Sequence, residues 1–182
     1  DARLLDLVRR TLRREPGFDE PLERELRTRF QQVSGPVMAK SKEDTAFYRW
    51  CDLLCLTEVG GDPARFGIGL DQLHEWCATT QRLWPSTMVT LSTHDSKRSE
   101  DVRSRLAVLS EIPLRWAATA RAWHHRTTEI RERHPVHPTD ELYVLQTIVW
   151  AHPISEERLV EHAHKALREV KVRTSWLHPD EA

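Results

Sequence analysis

The 182-residue chain has no apolar run near the roughly 18 residues that a membrane helix needs, so no membrane partner is expected. It also has no charge bias. Lys and Arg number 27 against 28 Asp and Glu, and the signs are interleaved. A basic face that grips a phosphate backbone is therefore missing, and no nucleic-acid partner is expected. Cysteine is scarce: Cys51, Cys55 and Cys77 are too few, and odd in number, for a disulfide framework. Free thiols point to a reducing, cytoplasmic compartment. Glycine is scarce too, with four of the six in one stretch, Gly60, Gly61, Gly67 and Gly69. That stretch lacks the Gly-x-Gly-x-x-Gly spacing of a nucleotide loop, and no cofactor is expected. No signal or transit segment is visible. The chain opens at Asp1-Ala2-Arg3-Leu4-Leu5 within a helical pattern and without a methionine, as a piece of a larger protein would.

What is there is mostly helix. Leu4, Leu5, Val8 and Leu12 share one helical face, with arginines opposite, until Pro16-Gly17 breaks the pattern. Asp19 offers an N-cap before Pro21, and a second helix runs through Leu22, Leu26 and Phe30 to a break at Ser34-Gly35-Pro36. Val37 to Lys40 fits either a helical first turn or a strand end. Glu43 to Leu56 reads as a helix carrying Phe47, Trp50 and Leu54. After the glycine-rich loop, Asp71 caps a helix through Leu73 and Trp76 that Trp84-Pro85 stops. A β-favouring run, Thr87 to Leu91, follows. Ser99-Glu100-Asp101 then caps a helix lined by Val102, Leu106 and Leu109. Trp116, Ala120, Trp123, Thr127 and Ile130 form a long stripe. Leu142, Leu145, Ile148 and Val149 are the expected buried side of the next helix. Leu159, Ala163, Ala166 and Val170 line the last one.

The stretch around which the rest is organised is Ser92-Thr93-His94-Asp95-Ser96-Lys97-Arg98-Ser99-Glu100-Asp101. A short strand ending in functional side chains before a helix start is how α/β barrels deliver chemistry at their carboxyl ends. This stretch resembles the signature of the maltooligosyltrehalose synthase family, within the α-amylase superfamily (glycoside hydrolase family 13). Arg29 to Lys40 with Glu43 to Arg49, Glu58-Val59-Gly60-Gly61-Asp62-Pro63, and Lys165 to Glu169 with Thr174-Ser175-Trp176 extend the resemblance in family order. Two positions depart from it: Ser41 stands where the family usually has Gly, and Ser96 where it has Thr. The resemblance implies a mainly α piece with one or two short β-strands, drawn from an incomplete (β/α)8 barrel and its helical insertion. A complete barrel needs about 250 residues. Residues 1–33 would belong to the insertion, 34–112 to the barrel and 113–182 to a helical subdomain.

The implied activity rearranges the reducing-end α-1,4 bond of a maltooligosaccharide into an α,α-1,1 bond, through a covalent glycosyl-enzyme. Such retaining chemistry needs a carboxylate nucleophile and an acid/base carboxyl around an oxocarbenium-like transition state. The resemblance makes Asp95 the third carboxylate, gripping hydroxyls of the distorted sugar, with His94 beside it. The nucleophile and acid/base would lie in segments preceding Asp1, so this chain alone is not expected to turn over. Lys97, Arg98, Lys40 and Glu43 become candidates for holding the transferred glucose. An ion-pair cluster knitting two loops together explains the same charges. Trp84 is the candidate for stacking on sugar, whereas Trp116 and Trp123 read as core. The expected partners are the maltooligosaccharide and the rest of the parent chain. Self-association is expected through the open edges of the Thr87–Leu91 strand. Two other classes remain: a non-catalytic helical interaction module, and a zinc-stabilised domain built on Cys51, Cys55, His74 and Cys77. The apolar setting of the cysteines speaks against zinc.

Overall fold

The computed structural model describes residues 2–17 and 20–180. The chain divides into two compact units, residues 1–42 and 43–182.

In the first unit α1 (Ala2–Leu12) packs against α2 (Pro21–Met38). Their contact is polar at its centre. The Arg27 guanidinium donates to the Thr11 carbonyl at 2.9 Å, and both residues are buried. The expected cap, Asp19, lies outside the described residues. Glu20 holds the N-cap position instead, in a reciprocal box with Glu23, and Pro21 follows at the first helical position.

The expected break at Ser34-Gly35-Pro36 does not occur. Helix α2 runs through all three residues. Pro36 removes one backbone donor from the ladder. The Ala39 N–H reaches back to the carbonyls of Gly35 and Pro36, and the chain widens into a π-helical stretch, Ala39–Ala46. Val37 to Lys40 is therefore helical rather than a strand end. Ser41, where the family prefers Gly, is not strained: among the described residues only Arg14 and Lys171 are non-glycines with positive φ.

The second unit holds the main core. The helix expected to reach Leu56 stops at α3 (Phe47–Arg49), followed by an extended stretch and a 3₁₀ turn, Leu54–Leu56. A side chain from far along the chain explains the stop. Gln146, fully buried, donates to the Cys51 carbonyl at 2.6 Å and accepts from the Leu54 N–H at 3.0 Å. Those backbone groups are satisfied without helical partners.

The glycine-rich loop leads into α4 (Leu70–Leu83). Its N-cap position is Gly69, so Asp71 sits inside the first turn instead of capping it. Trp84 ends α4 as the Trp-Pro pair implied. Thr87 to Leu91 is not paired as a strand, and no strand is assigned among the described residues. Met88 and Val89 are 97% and 77% exposed. A strand requires a neighbouring ladder, and none of the described segments supplies one.

Helix α5 (Glu100–Ala107) follows, with Ser99 at the N-cap position. The Ser99 hydroxyl bonds the Asp101 carboxylate rather than a backbone N–H. Leu106 and Leu109 are buried as expected. The tryptophan stripe is divided between α6 (Pro113–Arg126) and α7 (Thr128–Arg133), which meet at Thr127. Trp116 and Trp123 lie edge to face at 6.3 Å, with Trp116 against the core.

Helix α8 (Pro138–Ala151) is turned differently from the expectation. Its buried side is Asp140, Tyr143, Gln146, Thr147 and Trp150, while Leu142, Leu145, Ile148 and Val149 are half-buried. Polar anchors set that rotation. Arg173 grips Asp140 with two guanidinium nitrogens, and Gln146 holds the 51–54 backbone. Helix α9 (Glu156–Val170) closes the unit, capped by Ser155 and buried through Ala166 and Val170. Its last carbonyl accepts from Arg49 at 2.8 Å. Leu106, Leu109, Tyr143, Trp150 and Ala166 share one cluster with Cys51 and Leu54.

Candidate functional site

The segment Ser92–Ser99 is a loop built on a tight turn. The Ser96 N–H donates to the Thr93 carbonyl at 3.2 Å, and the Ser96 hydroxyl accepts from the Thr93 N–H at 2.8 Å. A threonine, the usual family residue, supplies the same hydroxyl, so the departure at Ser96 costs no contact. His94 and Asp95 stand at the crest of this turn, both exposed.

Behind the crest the loop is fixed from one side. The Glu58 carboxylate accepts the Lys97 N–H at 2.7 Å, the Arg98 N–H at 2.9 Å and its neighbour Val59 N–H at 2.9 Å. Arg103 lies 3.7 Å from the same carboxylate, and the Glu58 side chain is 13% exposed. Bonds from N–H groups to an ionised acceptor are among the stronger kind. The presentation of Glu58 depends on its two glycines. Gly60 has φ +76°, and a Cβ at Gly61 would stand 2.8 Å from the Glu58 carbonyl oxygen and 2.9 Å from that of Leu56. The Gly61 N–H closes the turn on the Glu58 carbonyl at 2.7 Å.

The two cations after Asp95 point into the protein. The Lys97 ammonium meets Asp44 at 2.5 Å and lies 5.9 Å from the centre of the Tyr48 ring. Arg98 is 6% exposed. One of its terminal nitrogens donates to the Leu54 carbonyl, the Thr57 carbonyl and the Thr57 hydroxyl, at 3.2 to 3.4 Å. Its Nε has no partner among the described residues. Glu43 accepts the Gly60 N–H at 3.4 Å. Trp84 is 69% exposed at the end of α4. Lys40 belongs to the first unit, exposed on the π-helical stretch.

Thus the structure brings together Lys97, Arg98 and Glu43 with Asp44 and Glu58, beneath the His94–Asp95 crest. These contacts tie the loop carrying the crest to the turn at Glu58 and to the π-helical stretch. Glu58 and Asp44 were missed as functional candidates. Both fall inside matched motifs, yet nothing in their local spacing shows what lies across the fold.

A second polar cluster lies under α9. The Tyr143 hydroxyl and His162 Nε2 are 2.8 Å apart with stacked rings, and Trp150 meets His162 edge-on. Burial, then the positive charges of Arg98, Lys165 and Arg158, push the His162 pKa down to about 4. Burial raises the Tyr143 hydroxyl and lifts the Cys51 thiol to about 11, so Cys51 is an inert core thiol. Among the described residues no group of three His, Cys, Asp or Glu side chains is placed to hold a metal ion. No described helix is long and apolar enough to cross a membrane.

No family model matches the sequence. A curated protein from Mycobacterium tuberculosis, described as a putative maltooligosyl trehalose synthase, is 41% identical over 165 residues, 85% of this chain. The chain spans about 20% of that relative's length. Among solved structures, maltooligosyltrehalose synthase from Arthrobacter ramosus is 42% identical with a TM-score of 0.71, over 87% of this chain and 20% of its own. A Sulfolobus tokodaii hypothetical maltooligosyl trehalose synthase is 35% identical with a TM-score of 0.75, over 88% of this chain and 22% of its own.

Proposed function

Since the chain is, by sequence and fold, a relative of a segment of maltooligosyltrehalose synthase, we propose that it supplies the transition-state carboxylate of such an enzyme. The enzyme of full family length would rearrange the reducing-end α-1,4 bond of a maltooligosaccharide into an α,α-1,1 bond. The carrying observation is the exposed His94–Asp95 crest on a loop that half-buried groups hold from behind. A carboxylate that must meet a developing positive charge has to be accessible and preorganised at once.

In this reading residues 34–112 join the barrel, and Thr87–Leu91 pairs as a barrel strand once neighbouring strands are present. Residues 1–33 and 113–182 are the helical parts beside it. Asp95 grips ring hydroxyls of the distorted sugar and His94 hydrogen-bonds the same ring. Lys97, Arg98 and Glu43 act from below by holding the loop. Lys40 and Trp84 are the remaining candidates for direct sugar contact. The nucleophile and acid/base come from other segments, so the 182-residue chain alone does not turn over. The three unpaired cysteines fit a cytoplasmic setting.

In the longer enzyme Asp95→Asn should lower kcat by about 100-fold, because one preorganised transition-state contact is lost. The assay is trehalose-terminated product formed from maltooligosaccharide. An unchanged rate would overturn the reading in favour of a non-catalytic helical module. For the isolated chain, the exposed Met88, Val89 and Leu91 favour self-association. Light scattering that finds only monomer at high concentration would count against this.

A further inference from the structure

We propose that Glu58 is the positioning residue of the His94–Asp95 loop, acting through the backbone N–H groups of Lys97 and Arg98. The inference rests on the functional reading above and adds a residue to which nothing there gives a role.

One carboxylate, 13% exposed, takes the N–H groups two and three residues after Asp95, across a sequence gap of about forty residues. Neither N–H has a helical or strand partner to fall back on, since residues 97 and 98 lie in neither. Losing the acceptor therefore leaves two donors unpaired in a half-buried place. The side chains strengthen the same join. Arg98 reaches back to Leu54 and to Thr57, the latter directly before Glu58 in sequence, and Arg103 donates to the Arg98 carbonyl at 3.1 Å while lying beside Glu58. The receiving side is a tight turn: Gly60 and Gly61 fold it back on Glu58, and a Cβ at position 61 would collide with the Glu58 and Leu56 carbonyl oxygens. A loop tied at its backbone keeps its crest side chains aimed wherever the loop goes. Glu58 thus sets where Asp95 stands without touching substrate.

The conservative variant Glu58→Gln keeps the shape and removes the charge. In the 182-residue chain, amide exchange at Lys97 and Arg98 should quicken by about 10- to 100-fold, with α8 and α9 amides unchanged. In the longer enzyme kcat should fall by about 10- to 100-fold, and KM for maltooligosaccharide should move less than about 3-fold. Glu58→Asp, whose shorter arm cannot reach both donors, should behave like Gln rather than rescue. Unchanged exchange at residues 97 and 98 would overturn the anchoring role. Quickened exchange with an unaltered kcat would overturn the positioning role. The two ideas fail separately. An Asp95→Asn enzyme of normal rate sinks the functional reading, and the exchange measurement stands apart from it.

Discussion

Gln146→Leu should destabilise the chain by about 3 kcal/mol, although leucine is more apolar and of similar size. Gln146 is fully buried and bonds both the Cys51 carbonyl and the Leu54 N–H. Leucine leaves both backbone groups in the core without partners, at about 1–3 kcal/mol each, partly offset by the added apolar burial. The neighbouring Thr147→Val is the control. The Thr147 hydroxyl only donates back to the Tyr143 carbonyl of its own helix, at 2.8 Å. That carbonyl already belongs to the helix ladder, so this change should cost less than about 1 kcal/mol. Urea unfolding followed by circular dichroism compares the two. Equal stabilities would show that the 51–54 stretch holds its shape without Gln146.

Acid should weaken the fold through His162. Its pKa is about 4 in the folded chain, below the roughly 6.5 of an exposed histidine. The unfolded chain therefore binds more protons than the folded chain between those values. Stability is full above about pH 6.5 and is lost as pH falls towards 4. Because His162 is only partly buried, the loss is about 2 to 3 kcal/mol rather than the whole shift. The structural cause is visible. Protonated His162 would be a largely buried cation in the field of Arg98, Lys165 and Arg158. Unfolding free energies of the chain and of His162→Gln, measured between pH 7 and pH 4, give the contribution by difference. Parallel curves would mean that His162 titrates normally.

The sequence by itself determined most helix positions, because periodicity and punctuation are local. The Trp84-Pro85 stop and the burial of Leu106 and Leu109 both follow from a few neighbouring residues. It also determined the relationship to a synthase segment, since motif order survives translation into text. Where it misled, a distant group had taken over a local decision. Gln146 ended a helix at Arg49 that apolar spacing carried to Leu56. Anchors at Asp140 and Gln146 rotated α8 so that its aliphatic side became the half-buried one. Pro36, an expected break, is carried inside α2 with a π-helical stretch after it. The Thr87–Leu91 run has strand composition but stays unpaired and exposed, because pairing is a property of two segments. At the candidate site the sequence named the crest, His94 and Asp95. Only the tertiary structure decided that Lys97 and Arg98 turn inward and that Glu58 holds the loop. Hydrogen bonds between residues about forty apart leave no trace in local spacing.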